Sequence, residues 1–106
     1  MTNTPDNLDY LVLRAVADDF EEFEMIVNEI IKWTSNNKTV PDVDRIQQAL
    51  MRAIAAGNIM AYEPREDLRQ FVATEPYPQK INSLWFYITE QGKLRMQKLE
   101  EEADRT

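Results

Sequence analysis

Five carboxylates crowd into seven residues: Asp18, Asp19, Glu21, Glu22 and Glu24. Acids this close can hold a divalent cation, or share a proton so that one serves as acid and another as base. The run lacks the alternating Asp/Asn spacing and central glycine of a calcium loop. Helix capping and a solvated face account for it. The chain has no His and no Cys. That removes the commonest general base, the commonest metal ligand, any thiolate metal site and any disulfide. Nothing supplies a nucleophile or a phosphate-binding glycine loop. The expectation is a protein that is not an enzyme, with no metal, no cofactor and no evident small-molecule ligand.

The second set is basic: Lys38, Arg45, Arg52, Arg65, Arg69 and Lys80, with Gln47 and Gln48 among them. Arginine and glutamine are the side chains that read guanine and adenine edges. Acids interleave these bases, however, as a solvated surface requires. The net charge is −7, and eight of the 19 acids precede Thr34. An acidic first third repels phosphate, and the balanced middle does not attract it strongly.

The elements that must position these groups follow from periodicity. Leu8, Leu11, Val12, Ala15 and Val16 repeat at helical spacing, with Asp6 or Asn7 as cap. Asp19 and Glu22 have the spacing of a capping box for a second helix, with Phe20, Phe23, Val27, Ile30 and Ile31 on one face. Thr34-Ser35-Asn36-Asn37 breaks it. Pro41 suits the first turn of a third helix, whose stripe is Val43, Ile46, Leu50, Ala53 and Ile54, with Gly57 as C-terminal cap. Ile59 to Glu63 reads as a strand stopped by Pro64. Residues 65–82 form a long connection with a weak strand signal at Phe71-Val72-Ala73. Leu84 to Ile88 is a second, aromatic strand. Thr89 caps a last helix by accepting from the backbone of Gln91 or Gly92. Gly92 costs roughly 1 kcal/mol inside a helix, which close packing of the helix start would offset.

Two local patterns resemble a winged helix, the helix-turn-helix variant with a β-hairpin wing. Leu50, Ile54 and Gly57-Asn58-Ile59 resemble a recognition helix entering the first wing strand. Tyr87-Ile88-Thr89-Glu90-Gln91-Gly92-Lys93 is similar to the strand-to-helix corner of PadR-like and MarR-like bacterial regulators. The resemblance implies an α+β fold that is mainly helical, with a three-helix core, a two-stranded β wing and a C-terminal helix. Carried over by position, it implies DNA contacts from Arg45, Gln48 and Arg52 on helix 41–57. Lys38 would precede that helix, and Arg65, Arg69 and Lys80 would lie on the wing. Asp42 and Asp44 open the third helix, and Glu63, Glu66, Asp67 and Glu75 dilute the wing's bases. The Thr34–Val40 connection is longer than a helix-turn-helix turn. These are departures from a DNA reader.

The wing strands are apolar on both faces. If Leu84, Phe86 and Ile88 face the helices, Trp85 and Tyr87 face out, and Met60 and Tyr62 oppose Ile59 and Ala61. Such a ribbon needs cover on both sides. Phe71, Val72 or the last helix could supply it. So could a partner, since Trp, Tyr and Met are enriched in interface cores. A homodimer through Met60, Tyr62, Trp85 and Tyr87, or through Met96 and Leu99 of the last helix, is the expectation. That helix should fray after about Leu99 unless a partner holds it.

The chain's 106 residues make one domain, residues 8–102, between a disordered tail (1–7) and a frayed end (103–106). No apolar run is long enough to span a membrane, and the first residues lack the regions of a signal peptide. A cytoplasmic protein is expected. The function expected first is a self-associating interaction or regulatory module. The alternative is a DNA-binding transcriptional regulator.

Overall fold

A computed structural model describes residues 8–35 and 40–104. The chain runs α1 (Leu8–Ala15), β1 (Glu21–Glu22), α2 (Phe23–Thr34), α3 (Val43–Ala55), β2 (Ile59–Arg65), β3 (Gln70–Ala73), a 3₁₀ helix (Pro78–Ser83), β4 (Trp85–Ile88) and α4 (Glu90–Asp104). The fold is α+β, with one antiparallel sheet in the order β1-β4-β2-β3. The two-stranded ribbon expected from the sequence is thus a four-stranded sheet.

Helix α1 packs against α2, α3 and α4. Three neighbours explain why Tyr10, Leu11, Val12 and Leu13 are all buried, rather than a single stripe. The core continues through Ile26 and Ile30 of α2, Ile46, Ala49 and Leu50 of α3, and the inner sheet residues Ile59, Ala61, Phe86 and Ile88. Asp6 and Asn7, proposed as caps, lie outside the described residues.

The start of α2 departs from the predicted capping box. Asp19 Oδ1 accepts from the adjacent Phe20 backbone at 2.7 Å, and Glu22 is itself the N-cap residue, with no side-chain cap bond. Residues 21–22 instead pair with β4, Glu21 opposite Phe86 and Glu22 opposite Trp85. Phe20 therefore precedes a strand and does not sit on the α2 face. Thr34 stays in the helix, its hydroxyl donating to Ile30 O at 2.8 Å.

Helix α3 starts two residues later than Pro41 suggests. Asp42 is the N-cap, its carboxylate accepting from Arg45 N at 2.8 Å. Val43 is exposed and drops out of the predicted core stripe. Gly57 ends the helix with φ +83°, and the bonds Asn58 N to Ala53 O and Gly57 N to Ile54 O close a Schellman turn.

Pro64 does not stop β2. It lies opposite Phe71 inside the strand. Pairing with β4 ends at Tyr62, so the edge of β2 that would need the missing N–H has no neighbour there.

The strand-to-helix corner forms as its residues predict. Thr89 Oγ1 accepts from Gly92 N at 3.0 Å and donates to Gly57 O at 2.7 Å. A Cβ on Gly92 would collide with the Asn58 carbonyl and lie 2.7 Å from Ile88 Cγ1. Helix α4 continues past Leu99 to Asp104, with Tyr10 donating to Glu100 Oε2 at 2.8 Å. No helix among the described residues is long and apolar enough to cross a membrane.

Candidate functional site

The outward face of the sheet carries Met60, Tyr62, Pro64, Phe71, Ala73, Trp85 and Tyr87, as strand alternation and the observed register require. Phe20 lies across it. Its ring stacks on Phe71 at 4.7 Å and on Tyr87 at 4.9 Å, and meets Tyr62 edge-on at 5.0 Å. Phe71 in turn leans on Trp85 at 5.4 Å. Each such ring pair contributes about 1 kcal/mol beyond its area.

Cover for this face is therefore partly internal, from Phe20 and Phe71. Phe71 was one of the residues the sequence offers for that role, and Phe20 was not. Val72 pairs with Glu63 on the opposite face, and α4 packs on α1 and β4. The cover is incomplete, because Met60 is 44% exposed and Phe71 38%. Leu68, at the hairpin tip, is 52% exposed. Of the residues proposed for contact through α4, Leu99 is buried in the chain's own core and Met96 packs against it. Leu94, at 68% exposed, is the apolar residue that α4 presents to solvent.

The basic candidates are dispersed. Arg45 and Gln48 are exposed on α3. Arg52 is tied across to Asp9 of α1 at 2.9 Å. Together Asp44, Gln47, Gln48, Met51, Arg52 and Ala55 line a shallow open trough. On the β2–β3 hairpin, Arg65 forms a two-pronged pair with Asp67, at 3.1 and 3.0 Å. Arg69 closes the turn in the left-handed region, φ +50°. Lys80 is on the 3₁₀ helix, not on the hairpin, so the expected wing placement fails for it. Lys38 lies outside the described residues.

The acidic run is spread over the α1–β1 turn, β1 and α2. Among the described residues no group of three or more carboxylates is arranged to hold a metal ion. Glu21 faces the inner side with Phe86, and its Oε2 is buried with no hydrogen-bond partner. Burial first, then the charges of Asp19, Glu29 and Glu22, raises its pKa above the ordinary carboxylate value. Tyr10 is pushed up to about 12, by burial and then by its bond to Glu100. Neither group lines the trough on α3.

No family model, curated protein or solved structure matches this chain.

Proposed function

We propose that the chain is a non-enzymatic regulatory module of winged-helix type that acts through protein contacts and associates with itself. The element order supports the winged-helix reading: helix, short strand, two helices, then a hairpin and a last strand, with the short strand paired to the last. The observation that carries the choice of partner is the state of the cations. Arg52 and Arg65 are matched by Asp9 and Asp67, and Asp42 and Asp44 open α3. Bases already paired with carboxylates have less to gain from phosphate than unmatched ones. Met60, Leu68 and Phe71 meanwhile leave apolar area on and beside the sheet. Met60 and Phe71 share the outer face of the sheet, and an apolar face left partly uncovered favours a contact surface.

A second reading is supported by Arg45 and Gln48, both exposed on α3, and by Arg65 and Arg69 on the hairpin. It makes the chain a DNA-binding regulator inserting α3 into the major groove. Fluorescence anisotropy with a mixed-sequence duplex at about 50 mM salt separates the two, because phosphate contacts show most at low salt. The interaction module gives no binding at micromolar protein. Binding that falls steeply with salt, and that Arg45→Ala and Arg52→Ala each weaken, selects the DNA reader.

A further inference from the structure

Strand β3 is an edge of the sheet, and apart from its four-residue length nothing in it guards that edge. Its residues, Gln70-Phe71-Val72-Ala73, include no charge and no proline. Sheet proteins usually protect such edges with lysine, proline or a bulge. The ladder also shows which backbone groups are unused. Thr74 N donates to Ala61 O at 3.0 Å, in register with the β2–β3 pairs. Alternation then turns Val72 and Gln70 toward β2, and the N–H and C=O of Phe71 and Ala73 toward the open side.

We propose that a second copy of this chain adds its own β3 to this edge, antiparallel, with Val72 facing Val72 across a two-fold axis. The proposal rests on the self-association inferred above and assigns its surface. A two-fold interface is self-complementary, so the strand must suit its own reverse. With Val72 on the axis, Phe71 of each copy meets Ala73 of the other. All the outward groups of those two residues are then hydrogen-bonded. Shifting the register by one residue per pair would set outward groups against inward ones. Centring on Phe71 or Ala73 keeps the alternation but breaks the next feature. Arg69 lies three residues before Val72 and Glu75 three after it. The Val72-centred register alone brings each Arg69, in the turn just before β3, toward the other copy's Glu75, two residues past the strand. Among the described residues, neither takes part in an ion pair within its own chain.

The same register joins the two outer faces. The Phe71 rings become diagonal neighbours, close enough for aromatic side chains to touch. The cluster of Phe20, Tyr62, Phe71, Trp85 and Tyr87 thus continues from one copy into the next. A seam of four strand residues a side is small for a specific interface, which makes the association weak, with a dissociation constant of about 100 μM.

Because the chain has no cysteine, a single introduced thiol reports position without background. Full-length Val72→Cys should form a disulfide dimer under mild oxidation, since non-hydrogen-bonded pairs hold their side chains closest. Gln70→Cys, which faces Thr74 of the other copy, should stay reduced. In sedimentation equilibrium, Arg69→Glu should weaken association about tenfold, by setting like charges opposite each other, and adding Glu75→Arg should restore it. If the wild type dimerises but Arg69→Glu changes nothing and Gln70→Cys links as fast as Val72→Cys, this surface is wrong and self-association stands. A wild type that stays monomeric up to about 1 mM overturns both.

Discussion

Gly92 and Asn58 meet backbone to backbone: a Cβ on Gly92 would overlap the Asn58 carbonyl oxygen, with the carbonyl carbon 2.9 Å away. This contact seats the first turn of α4 on the corner between α3 and β2. Gln91 Nε2 reinforces it by donating to Ala56 O and Asn58 Oδ1. Helix propensity alone would make Gly92→Ala stabilising by about 1 kcal/mol. The contact reverses that sign, because the obstruction is backbone and cannot rotate away. Chemical denaturation of Gly92→Ala should show a loss of about 3 kcal/mol. An unchanged or raised midpoint would mean that α4 is not seated there.

Phe20 holds the outer aromatic cluster together, touching Phe71, Tyr87 and Tyr62. Phe20→Ala should cost about 2 kcal/mol, less than a fully buried Phe because the residue is only half-buried. It should also shift the fluorescence of Trp85, which Phe71 contacts. Phe20→Leu should recover most of the stability and little of the fluorescence change. A neutral Phe20→Ala would place Phe20 off the sheet.

The end of α4 is tied to α1 through Tyr10 and Glu100. Tyr10→Phe should cost about 1 kcal/mol near neutral pH and loosen amide protection beyond Leu99 in hydrogen exchange. The phenol's pKa is raised to about 12, so the folded state disfavours its ionised form. Stability drawn from this residue is therefore intact below pH 10 and is lost as pH rises toward 12. Tyr10→Phe should lack that part of the alkaline loss.

Glu21 works in the opposite direction at neutral pH. Its pKa is raised, so the fold pays to keep it charged, and stability falls as pH rises from the ordinary value near 4.5 through the folded value. Glu21→Gln removes the charge with little change of shape. Thermal unfolding should show the variant more stable at pH 7, by a margin that solvent screening keeps small, with the gain vanishing as pH falls below the ordinary value near 4.5. A gain that persists in acid would assign the effect to something other than the carboxylate charge.

Features fixed by neighbours in sequence were legible from sequence. Thr89 and Gly92 are three residues apart in one cap, and Gly57 closes the helix it follows, so local geometry determines both. Phe20 was not legible, because its spacing from Phe23 imitates a helix face. What overrides that spacing is the pairing of Glu21 and Glu22 with β4, a contact between distant parts of the chain. Pro64 misled for a related reason. Its missing N–H matters only where a strand lies alongside, and β4 stops at Trp85 opposite Tyr62. Met60, Tyr62, Trp85 and Tyr87 were correctly grouped on one face by alternation. What lay over them depended on tertiary packing, and the answer was divided: Phe20 and Phe71 cover part, and Met60 remains exposed.

The proposed protein contact begins with a second copy of this chain. Sedimentation equilibrium of the unmodified chain, from about 10 μM to about 1 mM, measures that association, since the range spans the dissociation constant expected of so small a seam. A reversible monomer–dimer equilibrium with a midpoint of about 100 μM is expected. A single monomeric mass across the whole range would contradict it.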